Sequence, residues 1–347
     1  MLVARQDSMG DVLLAGPAVR AVAANADHVT FLAGPRGSAA AALLPGVDSI
    51  IVWDAPWITD PAPPATQNHM DTLLALLAQE DVDQAIILTS FHQSPLPLAL
   101  LLRLAGVNLI TAASVDYPGT LLDVRLRPGE DFPENLAEPL RALAIAKAAG
   151  FTLPPDDAGT LAVRGIPPLQ PFRPAKPYVV VHPGADAEAR AWSASAHREA
   201  VALLAQRGHA VVVTGSAEET RLTSTVAGDS ALDLGGLLDL PALAAVLQGA
   251  QAVVVGNTGP AHLAAAVGTP VVSLFSPVVP AEKWAPYGVP VTVLGDQQAP
   301  CRNSRARICP VPGHPCLNNV TADEVIAAVE ALLLQSKATG LPRKVDQ

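Results

Sequence analysis

The short segment DSMGD, Asp7 to Asp11, places two carboxylates and a glycine directly after LVARQ, a run that reads as a first strand. Gly10 permits a tight turn, and Asp11 then opens the first helix at the carboxyl end of a sheet. There it fits two roles equally, a dipole-compensating N-cap or a general base. A second segment, GNTGPAH from Gly256 to His262, follows the apolar run AVVVGN. Thr258 and Gly259 fall at the start of a helix with Pro260 read as its first residue, so free backbone N–H groups make an anion site there. His262 shares the helix face of Thr258 and could donate to a phosphate oxygen; the competing reading is a core histidine at a plain strand-to-helix turn.

A third segment, HPGADAEARAW from His182 to Trp192, carries one arginine among acidic residues. Arg190 suits a bidentate grip on a diphosphate, or else is a solvated arginine beside a packing tryptophan. Glu218, in TGSAEE, stands where a carboxylate accepts ribose hydroxyls, or where a helix N-terminus takes a negative charge. Cys301, Cys309, His314 and Cys316 suit zinc by donor type, but no cysteines lie two to four residues apart, and a cysteine-rich structural loop is the preferred reading. The phosphate-loop signature, G-x-S-x-G and H-E-x-x-H are all missing from the sequence, which removes the usual routes to NTP and serine hydrolysis.

The elements that must position these residues alternate. Runs at 2–6, 28–33, 49–54, 84–90 and 109–114 read as strands, with helices at 11–24, 36–44, 66–79, 95–105 and 136–149. GIPPLQPFRPAKP, 165–177, with five prolines in thirteen residues, reads as an interdomain linker. The alternation then restarts, with strands at 178–184, 210–216, 231–236, 252–257, 270–276 and 291–296. Helices lie near 195–207, 217–227, 240–249 and 259–267, and a last one at 321–335 opens with a Thr321/Glu324 capping box. The expected fold is α/β: two Rossmann-like doubly wound domains, 1–164 and 178–335, facing a central cleft with ligands at the carboxyl ends of both sheets.

A chain of 347 residues accommodates two such domains, and its 50% hydrophobic but only 4% aromatic content calls for cores of Ala, Val, Leu and Ile. A formal net charge of -10 excludes nucleic acid as the main ligand, so an anionic ligand must meet a local cluster of positive groups. No apolar run reaches the length of a membrane span, and no signal peptide is evident; at most peripheral membrane contact is expected. Three cysteines, all between 301 and 316, form no disulfide framework, which points to the reducing cytoplasm.

Taken together, SMGDV (8–12), HPG (182–184) and GNTGPAHLAAAVGTP (256–270) resemble glycosyltransferase family 9, the family of ADP-heptose:lipopolysaccharide heptosyltransferases. FHQSP (91–95), RLAG (103–106) and the tail from Cys309 to Thr321 extend the likeness over nearly the whole chain. The resemblance implies a GT-B fold whose first domain binds the acceptor and whose second binds a nucleotide-diphosphate sugar, typically ADP-heptose. Asp11 matches the proposed general base, Arg190 the basic residue that holds the diphosphate, and Thr258, Gly259 and His262 the rest of the phosphate site. Glu218 would face the nucleoside, with Gly184 and Asn257 also on the donor side, and Ser8, Gly10, His92 and Gln93 on the acceptor side. His92 is the next candidate base. Many relatives have Asp in place of Asn257, some have Lys in place of Arg190, and SPVVP (276–280) lacks their Gly-Pro-Thr.

The expected chemistry is an inverting, metal-independent displacement onto a glycan or glycolipid hydroxyl that requires no cofactor. The competing readings are a GT-B-like nucleotide-sugar 2-epimerase and a non-catalytic two-lobed nucleotide-sugar binding protein.

Overall fold

The computed structural model describes residues 1–169, 174 and 176–339. Two compact units divide the chain, Met1–Arg164 and Gly165–Gln347. Of the proline-rich stretch expected as a linker, residues 170–173 and 175 lie outside the described residues.

The first unit is built on β1 (Leu2–Arg5), β2 (Thr30–Ala33), β3 (Ser49–Val52), β4 (Gln84–Ile87), β5 (Leu109–Ala113) and β6 (Val124–Leu126), in spatial order β3-β2-β1-β4-β5-β6. Every pairing is parallel. β1, β2 and most of β4 are buried along their length, as strands of a parallel sheet must be when helices cover both faces. The order reverses direction between β1 and β4, where Ala4 pairs with Ile87. Loops leaving adjacent strands to opposite sides part at such a point and leave a crevice beyond the strands' carboxyl ends.

The helix expected at 11–24 is two helices, α1 (Met9–Leu14) and α2 (Gly16–Ala23), with Ala15 between them. Pro17 is the reason. It has no N–H to give to the Leu13 carbonyl, and its ring would collide with that oxygen in a continuous helix. α3 (Ser38–Leu43), α4 (Gln67–Leu77), α5 (Leu96–Leu104) and α6 (Glu138–Ala148) follow. β6 was not expected: three residues with an arginine at the centre leave no apolar alternation to find.

The second unit repeats the plan with β7 (Tyr178–His182), β8 (Ala210–Val213), β9 (Leu232–Asp233), β10 (Ala252–Gly256), β11 (Val271–Leu274) and β12 (Val291–Leu294), again all parallel. Their order, β12-β11-β10-β7-β8-β9, is that of the first sheet, so its reversal falls between β7 and β10. Its helices are α7 (Ala194–Gln206), α8 (Thr220–Ala227), α9 (Leu240–Gly249), α10 (Gly259–Ala266), the short α11 (Ala281–Trp284) and α12 (Pro315–Asn318), and α13 (Ala322–Thr339). α10 is buried on nearly every side; its GPAHLAAA sequence has side chains small enough for that. Side chains cap α4, α7 and α9 at Thr66, Ser193 and Asp239. Thr321 and Glu324 bond reciprocally ahead of α13, at 3.2 and 2.8 Å, as their spacing implies. Among the described residues no helix is long and apolar enough to cross a membrane.

Candidate functional site

In the first unit the loop leaving β1 is organised by a buried cation. Arg5, the last residue of β1, is 3% exposed. Its Nε lies 2.7 Å from Asp7 Oδ2, one Nη 2.9 Å from Asp11 Oδ1 and the other 3.3 Å from Glu138 Oε2 at the start of α6. The same guanidinium donates to Ser90 Oγ beyond β4 at 2.9 Å. Asp7 also accepts from Gln93 Nε2 at 2.5 Å, and Gln93 in turn accepts from the Ser90 N–H at 2.9 Å. Arg141, one helical turn after Glu138, donates to the Thr89 carbonyl and lies 3.8 Å from Glu138. Loops from both sides of the β1/β4 reversal and the N-terminus of α6 thus converge on one guanidinium.

Burial opposes the charge on Arg5, but Asp7, Asp11 and Glu138 outweigh it and hold the guanidinium even more firmly protonated than usual. For Asp7 the balance is opposite: burial pushes its pKa up, against the pull of Arg5. Of the three carboxylates on Arg5, Asp11 alone keeps substantial access, with 19% of its side chain exposed against 9% for Asp7 and 2% for Glu138.

Asp11 is not an N-cap. Ser8 occupies that position, with extended backbone, and Asp11 is the third residue of α1. The Ser8 hydroxyl donates to Asp11 Oδ2 at 2.7 Å while Arg5 serves Oδ1. The pair of donors, one on each oxygen, fixes the carboxylate's orientation. Gly10 is buried within α1, and His92 is exposed, its ring meeting Phe91 edge-on at 5.4 Å.

In the second unit the functional side chains again gather at the strand reversal. β7 ends at His182, whose buried ring lies 3.0 Å from Thr214 Oγ1 and whose pKa burial lowers. Gly184 follows, and Glu219 uses the space its missing side chain leaves: a Cβ would lie 2.1 Å from Glu219 Oε1. Glu219 is held there by a capping box with Ser216, accepting the Ser216 N–H at 2.8 Å. The expected residue, Glu218, is the exposed neighbour, its pKa lowered by a backbone hydrogen bond and by Ser216. The Ser-x-x-Glu spacing that singles out Glu219 stands in the sequence, but among adjacent acids it went unused.

Arg190 closes a 3-10 turn, Glu188–Arg190. Its carbonyl passes so close to Gly256 that a Cβ there would sit 3.3 Å away, which ties the loop after β7 to the end of β10. Trp192 packs in the core, donating to the Val320 carbonyl at 3.2 Å and meeting His197 edge-on at 4.7 Å.

Beyond Gly256 come the groups that lack partners. Asn257 is 6% exposed, and neither its amide oxygen nor its amide nitrogen makes a hydrogen bond; nor does Thr258 Oγ1. A buried, unpaired polar group costs about 1–3 kcal/mol. Three such atoms lie side by side at the N-terminus of α10, with Thr258 as N-cap making no side-chain cap. Gly259 is the first helical residue, one earlier than expected, and Pro260 the second; His262 lies buried one turn in.

The cysteine and histidine set is not gathered as a metal centre: among the described residues no group of three or more His, Cys, Asp or Glu is arranged to hold one. Cys301 and Cys316 are instead part of the second unit's core, with Cys309 packed against it. Burial pushes the Cys316 thiol up to about 11, so it stays neutral, and His314 takes a left-handed turn before α12.

Residues 150–313 match the model of glycosyltransferase family 9 (heptosyltransferase). The chain is 30% identical over 172 residues to lipopolysaccharide heptosyltransferase 3 of Escherichia coli, covering 47% of this chain and 48% of that one, so it spans about half the relative's length. In fold it is similar to the structure of the E. coli ADP-heptose lipopolysaccharide heptosyltransferase II, with a TM-score of 0.73 at 20% identity over 97% of this chain and 99% of that one. An E. coli heptosyltransferase solved with ADP-2-deoxy-2-fluoro heptose gives 0.69 at 19% identity over 95% and 98% of the two chains. The two parallel sheets are those of a GT-B fold, as the sequence implied.

Proposed function

We propose that this chain, whose residues 150–313 match the model of glycosyltransferase family 9, is an inverting glycosyltransferase that moves a heptose from ADP-heptose to a hydroxyl of a lipopolysaccharide-like glycan. The observation that carries the reading is the set of orphaned polar atoms on Asn257 and Thr258, at a helix N-terminus beside the Arg190 turn. Backbone N–H groups, a hydroxyl, an amide and a guanidinium are together what a diphosphate needs. The second unit thus holds the donor, and the relative solved with an ADP-heptose analogue supports that choice of ligand.

The first unit holds the acceptor. Its hydroxyl oxygen attacks the anomeric carbon from the face opposite the diphosphate, the new carbon–oxygen bond forms as the bond to ADP breaks, and the hydroxyl proton passes to Asp11. ADP departs with the bonding pair, and its growing charge is met by Arg190, His262 and the α10 N-terminus. A carboxylate is a weak base for a sugar hydroxyl, so positioning supplies much of the rate.

Titrating ADP into three proteins tests the donor site. Arg190→Ala is expected to weaken binding by roughly the 1.5–3 kcal/mol of a charge-assisted contact. Thr258→Val is expected to weaken it by about 1 kcal/mol without loss of stability, since the removed hydroxyl has no partner to lose. Unchanged ADP affinity in both variants would refute the site. Because these groups answer the leaving-group charge, turnover is expected to survive EDTA; an absolute requirement for Mg2+ or Mn2+ would overturn the mechanism.

A further inference from the structure

Ser8 stands at the N-cap of α1 with extended backbone, and its carbonyl accepts the first helical bond, from the Val12 N–H at 3.1 Å. A serine so placed ordinarily turns its hydroxyl oxygen to accept from a backbone N–H of the first turn. Thr66, Ser193 and Asp239 do this at α4, α7 and α9, and Ser216 and Thr321 do it within capping boxes. Ser8 makes no such cap. Among the described residues the other hydroxyl N-cap that leaves its helix uncapped is Thr258, and each of the two follows a strand that borders a sheet reversal.

The hydroxyl that the helix forgoes is spent on a side chain. Ser8 donates to Asp11 Oδ2 at 2.7 Å, while the Arg5 guanidinium donates to Oδ1 at 2.9 Å. The two donors differ in kind. A guanidinium can only donate, so a proton arriving on Oδ1 would compete with it; a hydroxyl donates to a carboxylate and, after turning about its C–O bond, accepts from a carboxylic acid. Oδ2 is therefore the oxygen that can receive a proton and keep its hydrogen bond.

We propose that Ser8 is a positioning residue for transfer, holding Asp11 Oδ2 in place and reversing their hydrogen bond as that oxygen takes the proton. In this step the acceptor O–H bond breaks and Oδ2–H forms. The electron pair left on the acceptor oxygen makes the new bond to the anomeric carbon, ADP leaves with the old one, and the Ser8 hydroxyl turns from donor to acceptor. The proposal rests on the reading of Asp11 as the general base.

The test measures single-turnover transfer from ADP-heptose by the full chain, with thermal melts and ADP titrations alongside. Ser8→Ala is expected to slow transfer roughly tenfold, the loss of one hydrogen bond to the reacting group. Its ADP affinity and melting temperature are expected to match wild type, because no cap is lost. A Ser8 that served the helix would give the opposite pattern, normal transfer with a melting temperature lower by roughly 2–4 °C. Ser8→Thr, which keeps the hydroxyl, is expected to retain most of the rate. In an Asp11→Asn background, adding Ser8→Ala is expected to cost nothing further, because Ser8 acts through the carboxylate; a second tenfold loss there would overturn the proposal. Normal transfer by Ser8→Ala beside slow transfer by Asp11→Asn sinks the positioning role and leaves the base reading standing, whereas normal transfer by Asp11→Asn sinks both. The melt decides even without turnover: a Ser8→Ala protein destabilised by a lost cap refutes the assignment on its own.

Discussion

Replacing Asp11 with Asn is expected to lower kcat by roughly 10²–10⁴ while the protein remains folded. The substitution keeps the side chain's shape. Its amide oxygen can still accept from Arg5 in place of Oδ1, and the Ser8 hydroxyl, now facing an NH2, can turn to accept. What disappears is the ability to take a proton. Stability should change little, for a reason visible in the charge cluster: Arg5 and Arg141 face Asp7, Asp11 and Glu138, and neutralising Asp11 leaves two cations opposite two carboxylates. Nor does α1 lose its N-cap, which is Ser8. The check is single-turnover transfer with ADP-heptose, alongside a urea titration and ADP affinity, because product release could otherwise mask the chemical step. A folded variant with normal single-turnover rate would remove Asp11 from the mechanism and pass the role to His92.

Arg5→Met is expected to cost about 3–5 kcal/mol of stability near neutral pH, the usual penalty for stripping the partner from buried carboxylates. For a domain whose total stability is about 5–15 kcal/mol, that is enough to unfold a large share of the protein at growth temperature. The pH dependence gives the cause. Asp7 already has its folded-state pKa raised by burial, and without Arg5 it rises further above the unfolded value. A group of that kind favours the folded state when protonated, so the deficit is full above the folded pKa and shrinks as pH falls toward the unfolded carboxylate value. Urea midpoints for both proteins at about pH 7.5 and about pH 5 measure this. A variant as stable as wild type at the higher pH would show that the guanidinium does not hold the cluster together.

The broad plan of the molecule is local in origin, and so it could be read from the chain. Short β-branched runs such as AVVV at 210–213 and 252–255 are buried parallel strands wherever they occur, and DSMGD and GNTGPAH lie at the two strand reversals because each directly follows a strand that borders one. Boundaries were less legible: β9 is two residues rather than six, since the chain turns away at LGG after Asp233 has paired with Val213, and Pro17 divides what its apolar neighbours present as one helix. The Arg5 cluster was out of reach for a different reason. Arg5 and Asp7 lie two residues apart, but Glu138 is 133 residues from Arg5, and no local pattern announces a partner so distant. Position Asn257 was picked out by resemblance; that its amide is buried and unbonded is a property only coordinates reveal.

The contact between Gly184 and Glu219 determines where the loops after β7 and β8 are free to vary. An added Cβ would lie 2.1 Å from the Glu219 carboxylate, which accepts the Ser216 N–H, so position 184 takes a side chain only if Glu219 swings away and gives up that bond. Glu218 is exposed and has a lighter obligation: it accepts from the Ser216 side chain, so exchanging it releases that hydroxyl but leaves the Gly184–Glu219 contact in place. Variation in these loops therefore meets less resistance at 218 than at 184, 216 or 219.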